Sequence, residues 1–492
     1  MAPEKQLEVS RVAIIGAGAS GLAAAKYLLA EKKFSEVRIF EQRATPGGTW
    51  NYSPLTREPN FTIPRTQPSA VPDQAIWPNG SVDVEFLTPI YDQLETNIPH
   101  SLMSFADKAF PQGTSVFPRH SVVLQYLKDY AEGLEPSISY QTQVLNVEKS
   151  TLEDRLGPWK LQVLNLKTNE TTKAEFDAIV VASGHYNDPF IPDIPGLVDF
   201  NKAYPEAISH SKFYRHPEEY ANKKVIIVGN SASGIDMTAQ ISTVAQLPVL
   251  VSEKEKSSFI GLAMNTPTAA YVPEILEFLP QERGVRFSDG HIETGIDAVI
   301  LCTGFHYSYP FLQSLKPSVL VPSGTYAAHL WENMIYTADP TLAFLSIPQR
   351  GIPFPLVEAQ SAVISRIWSG RLNPPSRAEM EAWVHKEHQE KGEGKPIHHI
   401  SCPADVEYIN RLHNLSTKAT RAPELGLDRG GDGKEPPYWD LQKRWVRERV
   451  LEIKLASRAQ GDRRHEFKSL EDLGFDYAQW EKDLEGGKAL IS

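Results

Sequence analysis

The chain has few cysteines, fewer basic than acidic residues and no long apolar run. Of its 492 residues only Cys302 and Cys402 are cysteines, so we expect no disulfide framework, and a reducing, cytoplasmic compartment fits best. The formal net charge of -11 argues against a nucleic-acid-binding surface and against docking on an anionic membrane. No apolar run approaches the roughly 18 residues that a spanning helix needs, so we expect no membrane anchor.

Patterns typical of metal sites and of acid–base catalysis are also missing. His385 with His388, and His398 with His399, lack further ligands at metal spacing, so we interpret all four as surface histidines and predict no metal. We find no catalytic-triad or paired-carboxylate motif. The hydrophobic content of 41% is ordinary for a globular protein, and the length allows two or three domains.

Residues 12–41 have the pattern of a dinucleotide-binding unit: a buried strand, a glycine-rich turn, a helix and a second strand. The fingerprint glycines are Gly16, Gly18 and Gly21. In such a fingerprint the first glycine makes a tight turn, the second lets the backbone approach a pyrophosphate, and the third lets the helix pack on the strand. Glu41 ends the second strand, where a carboxylate can accept the hydroxyls of an adenosine ribose, as in FAD sites.

The same pattern recurs later in the chain. The opening V-A-I-I-G-A-G-A-S-G is matched by V-I-I-V-G-N-S-A-S-G at residues 225–234, and the closing D-A-I-V-V-A-S-G by D-A-V-I-L-C-T-G at 297–304. Repetition of both ends in the same order indicates that one unit occurs twice. We therefore predict an α/β fold with two nested Rossmann-like domains.

The second fingerprint differs from the first in ways that bear on its ligand. Ser231 replaces the middle glycine, and Ser252 and Lys254 follow the next strand, where they suit a ribose 2′-phosphate. Glu253 lies between them and would instead accept ribose hydroxyls, as NAD sites do. We favour NADPH. Proteins that hold two dinucleotides side by side usually pass a hydride from one to the other.

These assignments give the expected domains. Residues 1–187 form the first segment of an FAD-binding domain, residues 188–304 form a smaller NADPH-binding domain, and residues 305–492 complete the FAD-binding domain with a C-terminal helical tail. Within them we expect a surface loop at 54–81, strands at 138–148, 159–166 and 176–184, and helices at 122–130, 353–368 and 438–455.

The cysteines bear on where the electrons go. Flavin disulfide reductases share the two-nucleotide plan but need a close cysteine pair, whereas Cys302 lies in a predicted buried strand, far along the chain from Cys402. Two classes remain on this reasoning. One is a monooxygenase, in which oxygen takes the electrons, and the other is a reductase that passes them to a small acceptor.

Several motifs resemble the flavin-containing monooxygenases. They are the two fingerprints, Gly47-Gly48-Thr49-Trp50, and Cys302-Thr303-Gly304-Phe305. The family's identifying motif, F-x-G-x-x-x-H-x-x-x-(Y/F), corresponds to residues 204–214, where His210 and Tyr214 match while Tyr204 and Glu206 replace Phe and Gly. A tyrosine in place of a Trp-Pro ending points away from the Baeyer–Villiger branch. The resemblance covers about residues 12–368.

The segment Tyr91-x-x-Leu94-x-Thr96-Asn97-x-Pro99 is similar to the family's segment over the flavin ring. This resemblance assigns Asn97 the role of the active-site asparagine, whose amide can donate and accept hydrogen bonds at once. Without the resemblance, Asn97 ahead of Pro99 is interpreted equally well as a turn residue. Gln360 is either a flavin-facing residue or a residue at a helix start.

The resemblance implies that NADPH reduces FAD, that NADP⁺ stays bound, and that O₂ forms a C4a-hydroperoxide which a soft sulfur or nitrogen nucleophile attacks. The expected partners are a small-molecule substrate and O₂. Baeyer–Villiger oxygenation of a ketone is an alternative, as is a nucleotide-binding redox protein with little turnover. The oligomeric state stays open, with a homo-oligomer as one option.

Asn97 is the predicted catalytic residue. The predicted cofactor-binding residues are Gly16, Gly18, Ala19, Ser20, Gly21, Glu41, Gln42, Gly48, Thr49, Trp50, Thr96, Asn97, Val144, Tyr186, His210, Gly229, Asn230, Ser231, Ser233, Gly234, Ser252, Lys254, Thr303, Gly304 and Gln360.

Overall fold

The computed structural model describes residues 7–56, 61–78, 80–149, 157–255, 267–315 and 320–485. Two largely parallel sheets organise this part of the chain. Each of them carries one of the two predicted fingerprints at the end of a central strand.

The first sheet has seven strands and contains the first fingerprint. They are β1 (Arg11–Ile15), β2 (Glu36–Phe40), β3 (Ile138–Ser139), β7 (Ala178–Val181), β18 (Leu330–Trp331), β19 (Ile335–Tyr336) and β20 (Leu342–Phe344), in the order β18-β19-β20-β7-β1-β2-β3. The strands from β20 to β3 run parallel, and β18 and β19 are antiparallel at the edge. Late strands thus join a sheet that the N-terminal strands begin.

The central strand β1 is buried on both faces, which explains its unbroken apolar sequence. Val12 and Ile14 join one hydrophobic cluster, whereas Ala13 and Ile15 join a second cluster on the opposite face. Successive side chains of a strand point to opposite faces, so a strand covered on both sides needs an apolar residue at every position. Helices α1 (Ala19–Ala30) and α6 (Pro353–Trp368) pack together in the first cluster.

The second sheet has five parallel strands. They are β9 (Ile208–His210), β10 (Val225–Val228), β11 (Val249–Ser252), β12 (Ala269–Val272) and β16 (Ala298–Leu301), in the order β12-β11-β10-β16-β9. Beside it lies a small antiparallel sheet of β13 (Ile275–Leu279), β14 (Gly284–Phe287) and β15 (Ile292–Glu293). All these strands fall between strands of the first sheet along the chain, so the second unit is nested in the first, and the predicted fold class is confirmed.

Two short strands flank the second unit along the chain. Strand β8 (Asp188–Pro189) leads into the second unit and β17 (Phe305–His306) leads out of it, and the two pair in antiparallel fashion. A further antiparallel sheet contains β4 (Thr142–Glu148), β5 (Trp159–Asn165) and β6 (Glu170–Phe176).

Further helices lie between the strands and after them along the chain. They are α2 (His100–Met103), α3 (His120–Tyr130), α4 (Leu197–Ala203), α5 (Ala232–Ile241), α7 (Arg377–Lys391), α8 (Ala404–Ser416), α9 (Leu441–Glu448), α10 (Val450–Arg458) and α11 (Tyr477–Glu485). In the described part of the chain, no helix combines the length and apolarity that crossing a membrane requires.

Three expected elements differ from those observed. The strand expected over 138–148 is divided at Gln141, whose positive φ of 49° turns the chain from the first sheet into the β4–β6 sheet. The strand expected over 176–184 begins only at Ala178, because Phe176 ends β6. The helix expected over 438–455 is two helices that meet at Arg449, whose backbone leaves the helical region.

The interpretation of His398 as a surface residue is wrong. Its side chain is buried, and its ring nitrogens contact the Asn333 side chain at 2.7 Å and the Ala327 amide at 2.9 Å. The loop expected at 54–81 is confirmed for its described residues, which make only isolated strand-like contacts, such as Arg65 with Ile191.

Candidate cofactor and active site

The first glycine fingerprint forms a turn in which two of its glycines cannot carry a side chain. Gly16 has a φ of +104°, and a Cβ there would lie 2.7 Å from the carbonyl oxygen of Ala182. A Cβ on Gly21 would lie 1.9 Å from the carbonyl oxygen of Gly16. At Gly18 the nearest atom to such a Cβ is a backbone carbon of Gly48 at 3.5 Å, an ordinary contact. The fold therefore demands glycine at 16 and 21, whereas at 18 it leaves room that suits a ligand.

The second fingerprint repeats this geometry. Gly229 has a φ of +103°, and its Cβ would lie 2.7 Å from the carbonyl oxygen of Cys302. A Cβ on Gly234 would lie 2.0 Å from the carbonyl oxygen of Gly229. Ser231, which stands where the first turn has Gly18, is exposed at the start of α5. Both turns thus end a parallel strand and begin a helix, the arrangement that presents backbone amides and a helix dipole to a phosphate.

Acidic and amide side chains line the approach to the first turn. The buried carboxylate of Glu41 accepts hydrogen bonds from the Ala17 amide at 2.7 Å and the Arg43 amide at 2.8 Å. Gln42 accepts a hydrogen bond from the side chain of Gln143 at 3.0 Å, one residue before the buried Val144. Glu41 is therefore fixed against the turn that a nucleotide would occupy.

The Gly47–Trp50 segment packs directly on the first turn. The Gly47 amide donates to the Ala17 carbonyl at 2.9 Å, and a Cβ on Gly48 would lie 2.8 Å from the Cα of Gly18. Gly48 begins a short 3-10 turn in which Thr49 is exposed and Trp50 partly buried. Ala19 and Ser20 are also partly exposed at the start of α1. The segment and the first turn therefore form one surface.

Asn97 lies in a segment that contacts both units. The Leu94 carbonyl accepts a hydrogen bond from the His120 amide at 3.0 Å, at the start of α3 in the first unit. At the other end the Tyr91 hydroxyl donates to the Asp236 carboxylate of α5 at 2.5 Å. Thr96 is buried and its amide donates to the Pro118 carbonyl, whereas the Asn97 side chain is exposed.

The side chains after β11 are arranged unequally. The Ser252 hydroxyl is buried and donates to the Pro273 carbonyl at 2.9 Å, whereas Lys254 is exposed. Glu253 accepts a hydrogen bond from the Asn230 side chain at 2.9 Å, beside the second turn, on which Ser233 is exposed. Of the two residues predicted to suit a 2′-phosphate, Lys254 is the one with an accessible side chain.

His210 is fully buried, with both ring nitrogens in hydrogen bonds. Its Nδ1 accepts from the Lys212 amide at 3.1 Å, which places the ring proton on Nε2, where it donates to the Gly304 carbonyl at 3.0 Å. Burial lowers the pKa of His210 to about 3, so the ring stays neutral. Thr303, beside Gly304, donates to the Phe190 carbonyl at 2.5 Å. These contacts fix the backbone at residues 303–304, where the chain leaves the second sheet.

Two further predicted residues have contrasting surroundings. Gln360 lies inside α6 rather than at its start, is fully buried, accepts from the Ser346 amide at 3.0 Å and donates to the Tyr408 hydroxyl at 3.0 Å. Tyr186 is about half exposed, with the centre of its ring 5.9 Å from the centre of the Phe305 ring. Tyr186 therefore offers an accessible aromatic face near the crossing between the units.

The surroundings of Cys302 do not suit a reactive thiol. Cys302 and Cys402 are both free, and Cys302 is buried behind the second turn, with its sulfur 3.8 Å from that of Met237. Burial raises the pKa of the Cys302 thiol to about 12, which makes it unreactive at neutral pH.

Two glycine-rich turns, each between a parallel strand and a helix, with one chain segment contacting both units, form the arrangement expected of an oxidoreductase that holds two dinucleotides. The sequence model of the flavin-binding monooxygenase-like family matches residues 76–270 and 270–427, and that of an NAD(P)-binding Rossmann-like domain matches residues 14–65. The chain belongs to the flavin-binding monooxygenase-like family. The predicted enzyme class, flavin monooxygenase, and the predicted cofactors, FAD and NADPH, are thereby confirmed.

Relatives of known name agree with this assignment. The chain is 29% identical to flavin-containing monooxygenase ustF2 of Aspergillus flavus over 90% of its own length and 98% of that protein. It is 30% identical to the thiol-specific monooxygenase of Saccharomyces cerevisiae, over 89% and 93% of the two chains. The solved structure of S-allyl-L-cysteine S-oxygenase from Allium sativum superposes with a TM-score of 0.73 at 26% identity, covering 97% and 98% of the chains.

Sequence reasoning missed the residues that join the Asn97 segment to the rest of the molecule. Asp236 of α5 receives the Tyr91 hydroxyl, and Lys454 of α10 donates to the Thr96 carbonyl at 2.7 Å. Neither residue belongs to a motif, and Lys454 is one cation in a helix of mixed charge. The sequence carries no signal for these contacts, because they join segments far apart along the chain.

Proposed function

We propose that this enzyme oxygenates the sulfur of a small-molecule thiol or thioether, with NADPH and O₂ as co-substrates. The observation that carries the proposal is the Tyr91–Asn97 segment, which contacts both nucleotide-binding units and leaves the Asn97 side chain exposed. The choice of sulfur is supported by the thiol-specific and S-oxygenase activities of the relatives.

The residues present suit FAD in the first turn. Gly18 leaves free the volume that a Cβ would fill, and the start of α1 presents backbone amides next to it, so a pyrophosphate fits there. Glu41 stands beside the turn with lone pairs left for ribose hydroxyls. When bound, FAD supplies the redox chemistry, since it accepts a hydride and passes electrons to O₂.

In the second unit the corresponding residues suit NADPH. We assign the phosphate-binding role to the backbone from Gly229 to Gly234 and the recognition of the 2′-phosphate to Lys254, whose ammonium is exposed beyond β11. His210 acts through the backbone, because its ring donates a hydrogen bond to the Gly304 carbonyl. A direct contact between His210 and the cofactor stays a prediction.

Asn97 is the residue that we assign to the reacting centre. Its amide can donate and accept hydrogen bonds at the same time, so it can orient two groups without moving a proton. Its neighbour His100 cannot act as a cation, because burial lowers the pKa of His100 to about 4. We therefore assign this position a role in binding and orientation rather than in acid–base catalysis.

The role of Asn97 is tested by Asn97→Ala. We expect the variant to keep its FAD and its rate of reduction by NADPH, because the side chain is exposed and its loss leaves no cavity in the core. We expect the fraction of NADPH electrons released as hydrogen peroxide to rise about tenfold, as orientation at the site is lost. An unchanged peroxide yield would show that Asn97 has no part in the reaction.

The substrate class is tested with paired small molecules. A thioether and a ketone of matched size are each offered with NADPH and oxygen, and products are identified by mass. Sulfoxide formation supports the proposal, whereas ester formation identifies Baeyer–Villiger oxygenation. If neither substrate stimulates NADPH consumption, sulfur oxygenation is rejected. That result would favour the alternative of a nucleotide-binding redox protein with little turnover.

We also propose the domain division at 187/188 and 304/305, which is supported by the antiparallel pairing of β8 with β17 where the chain enters and leaves the nested unit. A cytoplasmic location and a homo-oligomeric assembly remain proposals. Light scattering of the purified protein tests the assembly.

A further inference from the structure

The C-terminal helix α10 contacts the backbone immediately before Asn97. Lys454 is 3% exposed, and its ammonium donates to the carbonyl oxygen of Thr96 at 2.7 Å. The same ammonium lies 4.2 Å from the centre of the Phe117 ring and 4.0 Å from the Glu95 carboxylate. The cation therefore contacts two consecutive residues of the segment, 95 and 96, that precede the proposed catalytic side chain.

The chain after α10 holds Glu95 as well. The Arg464 guanidinium donates to both oxygens of the Glu95 carboxylate at 2.7–3.1 Å, and His465 lies 3.3 Å from it. A bidentate pair of this kind fixes the orientation of both planar groups. The carbonyl of Phe467 also accepts from the Val116 amide at 3.1 Å, which joins the tail to the strand-like segment beside Thr96.

The other end of the segment is tied to the same helix through the second unit. Arg458 of α10 contacts the Asp236 carboxylate at 3.1 Å, and that carboxylate also accepts the hydroxyl of Tyr91. Helix α10 thus reaches the segment at both ends, directly at Thr96 and through α5 near Tyr91. A shift of α10 would move Asn97 relative to both nucleotide-binding turns.

A buried lysine is a costly way to cap a single carbonyl. Removing an ammonium from water carries a large desolvation penalty, which hydrogen bonds and nearby charges offset only in part. Consistent with this, burial lowers the pKa of Lys454 to about 8. The nearby Arg458 and Arg464 also lower this pKa, whereas Glu95 and Asp236 raise it. An apolar side chain would cost less here but would leave the Thr96 carbonyl without this donor.

We propose that Lys454 is a positioning residue, which holds the Thr96 carbonyl so that the Asn97 amide keeps its orientation toward the reacting centre. The inference rests on the proposed function, because it matters for catalysis only if Asn97 acts there. The C-terminal tail is then part of the active-site architecture, although it supplies no group to the reaction.

The test compares Lys454→Met and Lys454→Arg in the full-length protein. Methionine fills the volume against Phe117 but removes the hydrogen-bond donor to the Thr96 carbonyl. We therefore expect the chain to stay folded while the backbone of residues 94–97 becomes more mobile. In the cofactor-free protein, amide hydrogen exchange over residues 94–97 should accelerate at least about tenfold. The reason is that the hydrogen bond from the Thr96 amide to the Pro118 carbonyl opens more often. Arginine, which keeps a cationic donor, should restore most of the protection.

In the loaded enzyme the same variants separate positioning from cofactor binding. We expect Lys454→Met to keep the wild-type rate of flavin reduction by NADPH while the peroxide yield per NADPH rises at least about threefold, with rescue by Lys454→Arg. The control is Lys443→Met on α9, because Lys443 also donates to a backbone carbonyl, that of Tyr438 at 3.2 Å, which is not part of residues 91–97. This control should leave exchange and peroxide yield unchanged.

Wild-type exchange and peroxide yield in Lys454→Met would overturn the inference. If that variant does not fold, Arg464→Gln at the neighbouring Glu95 contact decides, since unchanged exchange over residues 94–97 would then reject the role of the tail. If Asn97→Ala itself releases no extra peroxide, the proposed function of Asn97 fails, while the exchange measurement still reports whether Lys454 holds the segment.

Discussion

At the scale of single residues, Glu358 is a carboxyl group that the fold keeps from water. It lies on α6 with no exposed surface, and its Oε2 accepts from the Ala106 amide at 2.8 Å, while Oε1 has no partner among the described residues. Burial raises the pKa of Glu358 to about 8, so the group is protonated in the folded protein at neutral pH.

This raised pKa makes stability depend on pH. In the unfolded chain the carboxyl ionises near its ordinary pKa of 4.5, so between about pH 4.5 and 8 the folded state binds more protons than the unfolded state. The contribution of Glu358 to stability is therefore complete below pH 4.5 and is lost as the pH rises to about 8. Glu358→Gln keeps an acceptor for the Ala106 amide but cannot ionise.

We expect urea titrations at pH 5 and pH 8 to show a smaller loss of unfolding free energy in Glu358→Gln than in the wild type. The difference should be on the order of a few kcal/mol. Glu390→Gln, on the exposed surface of α7, is the control and should follow the wild type. Parallel pH profiles of Glu358→Gln and the wild type would contradict the prediction.

At the scale of elements, the first glycine turn combines two positions that the fold restricts to glycine with one that it does not. Gly16 and Gly21 meet backbone atoms that cannot move aside, so their glycine character is a folding requirement. At Gly18 the φ of −76° suits any residue and a Cβ meets only Gly48 at 3.5 Å. We therefore attribute the glycine at 18 to the pyrophosphate that we propose approaches the turn.

Substitution by alanine separates these roles. Gly18→Ala should unfold near the wild-type temperature but purify with at most about a tenth of the wild-type flavin, read from absorbance near 450 nm after reconstitution with FAD. Gly21→Ala should fail to fold, because its Cβ would lie 1.9 Å from the Gly16 carbonyl oxygen. A yellow Gly18→Ala protein with full FAD content would show that the first turn does not bind the pyrophosphate.

At the scale of the whole molecule, the two nucleotide-binding turns belong to separate sheets with separate hydrophobic clusters. Ile226 and Val299 of the second sheet pack in a cluster that contains no residue of the first sheet. The pair β8–β17 and the Tyr91–Asn97 segment are among the described links between the units. The two cofactors should therefore stabilise the molecule separately, each by binding its own unit.

Lys254→Ala tests this separation. We expect the thermal stabilisation by NADP⁺ to fall, because the 2′-phosphate loses its cation, while the stabilisation by FAD and by NAD⁺ is unchanged. Thermal shift assays with each nucleotide measure this. Lys202→Ala on α4, an exposed lysine of the same unit, is the control. An NADP⁺ shift equal to that of the wild type would remove Lys254 from the nucleotide site.

Much of the architecture was predictable from local sequence. The apolar strands β1 and β10, the glycine turns after them and the long helix α6 all arise from residues close together in the chain, so their patterns show directly. The breaks at Gln141 and Arg449 were not predictable in this way. A positive φ at a glutamine and a kink in a helical pattern are imposed by the sheets and helices that the flanking segments join.

The amino-acid sequence by itself determined that two dinucleotide-binding units occur and that one is nested in the other, because strand, turn and helix depend on neighbours within about thirty residues. The tertiary structure decided how Asn97 is held. Its supports, Lys454 and Asp236, come from 357 and 139 residues further along the chain, and such contacts follow from packing rather than from any local pattern.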